Sequence, residues 1–206
     1  MKSKLRSGLL GAAALGFVGF LLRRTIVPRV EEPQYEVDRT VNGLEIRRYP
    51  ATVVAETDVE GAYRESIYAG FRRLAGYIFG QNTPEQKIAL TAPVGATPHE
   101  PRRWTISFVM PSSRRMDTLP RPLDERVHLR EVPPRRAAVL RFAGRANQEV
   151  MHTREAELAD RLARAGLHAA GEPQLAQYNP PWIPGPFRRN EVMVTLEPEA
   201  GQPGAP

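Results

Sequence analysis

The side chains able to do chemistry are few and scattered. Histidine occurs four times, at 99, 128, 152 and 168, and cysteine is absent. Without cysteine there is no disulfide framework, thiolate zinc site, iron–sulfur cluster or thiol nucleophile. Glu149 and His152 stand three residues apart on a predicted helix, a spacing found in di-iron sites, but the second pair and extra carboxylates such a site needs are missing. His128 alternates with Arg130 in a predicted strand, facing away from Val127 and Leu129, which reads as a solvated residue. No G-x-S-x-G, no H-E-x-x-H and no phosphate-cradling glycine loop is present. No catalytic residue and no metal site is therefore predicted, and the chain is not expected to be an enzyme. Glu191 is the obvious carboxylate for acid or base work, and no companion base accompanies it.

The strongest local signal is Tyr178-Asn179-Pro180-Pro181-Trp182-Ile183-Pro184-Gly185-Pro186-Phe187-Arg188-Arg189-Asn190-Glu191. Four prolines exclude a helix and remove ladder donors, so the segment is a stiff loop leading into a closing strand. One reading makes it a pocket rim, with Trp182 and Phe187 as apolar walls and Arg188 or Arg189 open to an acidic ligand. The other makes it a structural clasp in which Asn190 and Glu191 bond backbone at the strand entrance.

These groups must be positioned by a body of strands and helices. Leu44–Tyr49 and Thr52–Val59 read as strands around Pro50, and residues 62–79 as an amphipathic helix with Tyr63, Ile67, Phe71, Leu74 and Ile78 at steps of three or four. Lys87–Val94 and Trp104–Met110 read as two more strands. The order then repeats: Val127–Val132, Arg136–Phe142, a helix from about Asn147 to Ala165, and two extended segments. Pro50 to Gly61 and Pro133 to Gly144 both span 11 residues, as do Pro93 to Trp104 and Pro180 to Glu191. A duplicated strand-strand-helix-strand-strand unit follows, each copy burying its apolar face on the other. The expected fold class is α+β: a distorted antiparallel β-barrel flanked by two helices, preceded by one N-terminal hydrophobic helix. The groove between the halves is the natural place for a small molecule.

Charge separates this body from its leader. The chain carries +6 overall, with 29 basic and 23 acidic residues, but Lys2, Lys4, Arg6, Arg23 and Arg24 fall in residues 1–24 beside no acid. The remainder is nearly neutral, which argues against nucleic acid as a partner. Ser7 to Leu22 (SGLLGAAALGFVGFLL) is uncharged, and no small-x-small cleavage site follows it. Residues 1–24 are expected to be a membrane anchor or signal segment, an uncleaved anchor being favoured, with orientation left open by the balanced flanks. Residues 25–34 read as a linker, 35–197 as the domain, and 198–206 as a disordered tail.

Four motifs, in order, carry a resemblance: Glu45-Ile46-Arg47-Arg48-Tyr49; Lys87-Ile88-Ala89-Leu90-Thr91-Ala92-Pro93-Val94; Arg141-Phe142-Ala143-Gly144; and Tyr178-Asn179-Pro180-Pro181-Trp182 with Arg189-Asn190-Glu191-Val192. Together they resemble the SOUL haem-binding protein family, from about Gln34 to Leu196. The resemblance implies a pseudo-twofold barrel with two helices and a bound haem or other tetrapyrrole. It places the porphyrin against the first helix, which maps to Tyr63–Ile78. Tyr68, Phe71, Arg72 and Ala75 are the expected contacts there, with Trp182 and Arg188 from the proline-rich loop. Family members given a histidine ligand carry it on the first strand, where this chain has Arg47 and Arg48, and no histidine precedes His99. The resemblance therefore implies a membrane-tethered carrier or buffer that holds its pigment reversibly by apolar burial. Domains of similar architecture in multidrug-sensing regulators suggest an alternative, a module for other amphipathic small molecules.

Overall fold

The computed structural model describes residues 30–99 and 102–198. Residues 1–24 and the tail beyond 198 lie outside these, and so do the expectations placed on them. No helix among the described residues is long and apolar enough to cross a membrane.

In chain order the elements are β1 (Glu36–Val41), β2 (Leu44–Tyr49), β3 (Thr52–Glu60), α1 (Tyr63–Ile78), β4 (Asn82–Thr83), β5 (Val94–Pro98), β6 (Arg103–Val109), β7 (Arg121–Pro122), β8 (His128–Val132), β9 (Arg135–Ala143), α2 (Gln148–Ala165), β10 (Gln174–Gln177) and β11 (Arg189–Thr195). Nine strands form one antiparallel sheet ordered β1-β2-β9-β11-β10-β5-β6-β3-β8, and β4 pairs with β7. Exchanging β2 with β8, β3 with β9, β5 with β10 and β6 with β11 reverses the last eight positions. The duplication is thus a pseudo-twofold whose axis passes between β5 and β10, with β1 added outside it. The polar pattern of β1 gave no strand signal in the sequence.

The connections make the sheet curl. Pro50 and Ala51 alone join β2 to β3, and Pro133 and Pro134 alone join β8 to β9, although each pair stands at opposite ends of the strand order. Two residues span only about 7 Å, so the ends of the sheet must approach one another. Proline has no N–H to donate, and the seam is bridged by chain instead of by ladder bonds. The expected barrel is accordingly a curled half-barrel, closed by crossovers.

Both helices lie on one face of the sheet, α1 against β3 and β6, α2 against β9 and β11. Between them sits the main core, including Leu44, Ile46, Leu74, Ile106, Phe108, Leu140, Leu158 and Val192. Gly70 permits the close approach of α1: a Cβ there would fall 2.5 Å from Ile106 Cγ1. The helix entrances are pseudo-twofold mates. Gly61 (φ 141) and Gly144 (φ 118) each donate the backbone N–H to a loop of the same half, to Arg102 O at 2.8 Å and Gly185 O at 3.1 Å.

Two sequence expectations change. The first Pro-to-Gly spacing marks equivalent positions, but the second does not, because Pro93 precedes β5 whereas Pro180 follows β10. Lys87–Pro93 is not a ladder strand either. Its donors go elsewhere, Ile88 N to Ile78 O and Ala92 N to Glu31 O, and pairing starts only past Pro93, which has no donor.

Candidate functional site

Three regions were candidates for binding: the outer face of α1, the proline-rich loop and the groove between halves. On α1 the buried positions are Tyr63, Ser66, Gly70, Leu74, Tyr77 and Ile78. This phase turns Tyr68, Phe71 and Arg72 outward, with Ala75 half-buried between turns. The predicted core stripe therefore fails at Phe71, which is 38% exposed and meets the buried Phe108 ring in an edge-to-face contact with centroids 5.4 Å apart. Tyr68 is 69% exposed and Phe79, just past the helix, 60%. Among the described residues the side chains of Arg64 and Arg72 have no hydrogen-bond or ion-pair partner, whereas Arg73 is held by Thr57, the Asp58 carbonyl and Asp124. The quartet Tyr68, Phe71, Arg72 and Ala75 is one continuous outer strip, at the i, i+3, i+4 and i+7 spacing of a single helix face.

The equivalent surface of α2 is different in kind. Arg154 and Arg161 both pair with Glu157, Arg164 pairs with Asp160, and His152 lies 3.3 Å from Glu155. His152 thus pairs within its helix, not with Glu149. Among the described residues no group of acidic or histidine side chains could hold a metal ion.

The proline-rich loop behaves as a clasp. The Arg188 guanidinium donates to the carbonyls of Ile183 and Pro181, and Asn190 Nδ2 donates to Gly144 O at 2.9 Å. Trp182 is 68% exposed, but no hydrogen bond, ion pair or ring contact joins it or Arg188 to α1. The six expected contacts are therefore not brought together as one site. Arg189 is likewise occupied, by Glu32, by Glu191 and by the Tyr178 ring 3.6 Å beneath it.

Glu191 is the anchor of a buried network on the sheet face opposite the helices. It is wholly buried and accepts four hydrogen bonds: from Arg47 Nη1 and Nη2 at 2.9 and 3.1 Å, Tyr178 Oη at 2.7 Å and Arg189 Nε at 3.1 Å. Burial alone would raise its pKa, but the Arg47 and Tyr178 bonds reverse the sign and hold the carboxyl below its ordinary value. Arg47, itself buried, also reaches Glu45 and the Tyr49 hydroxyl. A carboxylate so engaged has no free lone pair to offer a substrate. The sequence could reveal Arg47 and Glu191 as motif residues, but their partnership spans 144 positions and needed the fold.

The groove expectation finds its counterpart at the seam. A cavity of about 1100 Å³ is walled by Pro50–Val53, Val109–Ser112, Arg114–Asp117 and Glu131–Pro134, and on one side by Glu31–Gln34. Residues 31–34, predicted as linker, form a strap pinned by Glu31 O to Ala92 N, Glu31 Oε1 to Ser112 N and Glu32 to Arg189. None of the six expected contact residues lines this cavity.

With this geometry established, the chain was compared with known proteins. The family model described as SOUL heme-binding protein matches residues 30–195. The chain belongs to that family. Heme-binding protein 2 of Mus musculus is 33% identical over 138 residues, covering 62% of this chain and 66% of that protein. Its Homo sapiens counterpart is 35% identical over 120 residues, covering 53% and 58%. The chain thus spans somewhat under two thirds of each. Among solved structures the EcmrR C-terminal domain superposes with a TM-score of 0.58 at 10% identity, over 79% of this chain and 98% of that one. A hydrolase from Listeria innocua gives 0.53 at 12%, over 78% and 94%. At such identities the likeness concerns the fold alone.

Proposed function

We propose that this protein binds haem or a related tetrapyrrole reversibly on the outer face of α1, as a carrier or buffer without imidazole ligation, and that residues 1–24 tether it to a membrane. Family membership supports haem as the ligand class. The observation that carries the site is the contrast between the duplicated helices. The fold accepts an outer face on α2 that carries ion pairs and no exposed aromatic ring, so the exposed aromatics and arginines of α1 are not a packing requirement. Tyr68 and Phe71 offer apolar surface to a macrocycle, the small Ala75 one turn past Phe71 leaves it room, and Arg72 suits a propionate. No histidine lies on α1, so the residues fit a pigment held through its ring and acidic edge. Haem bound there would be held by Tyr68, Phe71 and Arg72 and would supply a redox-active iron.

Hemin titrated into the full chain in mild detergent should shift the Soret band saturably. Tyr68→Ala and Phe71→Ala should each weaken binding about tenfold, the worth of about 1.5 kcal/mol of buried side chain. An absent shift, or a double variant that binds as wild type does, refutes the site.

The seam cavity favours a second reading, an amphipathic cation. Its walls include five prolines, three valines and two methionines, and its lining also includes Glu31, Glu32, Asp117 and Glu131 against Arg114 and Arg115. Thermal shift with a ligand panel distinguishes the two, since bulky cations stabilise by this route and Glu131→Gln would reduce their effect. Enzymatic use of Glu191 has no support in its saturated geometry.

A further inference from the structure

The outer face of α1 continues past the helix. Leu123 N donates to Gln81 O at 3.2 Å, which sets Leu123 beside the chain that leaves α1 at Phe79. Of the eight large apolar side chains that stand exposed among the described residues, four are here: Tyr68, Phe71, Phe79 and Leu123. Arg64 and Arg72 sit in the same strip, and Glu65 at its margin is the only acid of α1. A helix of 16 residues is about 24 Å long, so the strip is an extended surface and not a single exposed ring.

We propose that this strip docks the domain on an anionic membrane surface. The inference rests on the reading of α1 as the haem-binding face and adds the partner that same face meets. Exposed aromatics interleaved with unpaired arginines are the chemistry of an interfacial helix, in which rings enter the headgroup boundary and cations meet anionic lipid. Charge complementarity supports that occupant: α1 carries Arg64, Arg72 and Arg73 against the single acid Glu65. The α2 face, crossed by ion pairs, offers nothing comparable. A pigment that partitions into lipid would then reach α1 without crossing water.

The chain has no cysteine, so a single introduced thiol can be labelled uniquely. Full-length Tyr68→Cys, with His152→Cys on α2 as control, is spin-labelled and reconstituted into phosphatidylcholine vesicles with and without phosphatidylglycerol. Oxygen accessibility should exceed that of a water-soluble nickel complex at position 68 in anionic vesicles only, and position 152 should remain aqueous. Adding Arg64→Gln and Arg72→Gln should lower the docked-to-free ratio about thirtyfold. Position 68 staying as aqueous as position 152 in anionic vesicles overturns the proposal. Hemin-induced broadening of a label at Glu65→Cys, at the margin of the strip and with Tyr68 intact, reports the haem reading separately in detergent. Broadening without lipid contact refutes docking alone, and lipid contact without broadening refutes the haem site alone.

Discussion

Replacing Glu191 by alanine tests whether the network opposite the helices holds the half-barrel together. The substitution removes the acceptor of four hydrogen bonds. Arg47, only 1% exposed, is left with Glu45, a partner whose side chain is 38% exposed. Breaking one side of a buried pair costs about 3–5 kcal/mol, because the surviving charge stays out of water. Against a total stability of about 5–15 kcal/mol this is severe, and for a domain of this size it lowers the melting temperature by roughly 6–20 °C. The double variant Arg47→Met/Glu191→Leu should recover most of the loss, since no charge is then stranded. Urea unfolding followed by circular dichroism at pH 7 reads both. A loss under about 1 kcal/mol for the single variant, or a double variant as unstable as the summed singles, refutes the account. The pH dependence has a fixed sign. A carboxyl held below its ordinary value of 4.5 contributes stability above that pH and loses it as pH falls through the folded value. The gap between wild type and Glu191→Gln should therefore narrow below about pH 4.5.

Other perturbations separate packing from binding. Gly70→Ala should cost about 1–3 kcal/mol in urea unfolding, because the new methyl meets Ile106. Among the described residues Ser66 Oγ is buried without a partner, so Ser66→Ala should stabilise by about 1 kcal/mol, and a loss would mean the hydroxyl is bonded. Trp182→Ala should leave hemin affinity unchanged while Phe71→Ala weakens it; equal losses would move the site to the loop.

Much of the fold was legible because its causes are local. Alternation marked β2, β3, β6 and β9, helical spacing marked α1 and α2, and the Pro50–Gly61 and Pro133–Gly144 repeats marked the duplication. What escaped depends on partners distant in sequence. β1 is a polar edge strand recognisable only by its pairing with β2. The phase of α1 misled at Phe71 because Ser66 and Gly70 share the buried stripe, and neither scores as apolar. The strap read as linker because Glu31 and Glu32 are fixed by Ser112 and Arg189, 81 and 157 positions away. Arg188 read as a ligand group, yet its acceptors are carbonyls five and seven residues back, which no side-chain pattern reveals.

Duplication supplies an internal control. Two helices of common topology pack on the same face of one sheet, each beside the two strands of its own half, so both meet the same structural demand. Where α2 meets it with Met151, Leu158 and Leu162 inside and ion pairs outside, α1 buries Leu74 and Tyr77 and leaves rings in water. Exposed aromatic surface lowers solubility and adds nothing to a sheet already covered, so selection for folding alone would exchange it for charge. On the proposed function, the difference between the halves is the trace of that function on a symmetric frame. It predicts that grafting polar α2-like residues onto Tyr68, Phe71 and Phe79 leaves the urea midpoint near wild type while hemin binding and lipid contact both fall. A midpoint that collapses instead would show the rings to be structural, and the outer face of α1 would cease to be a site.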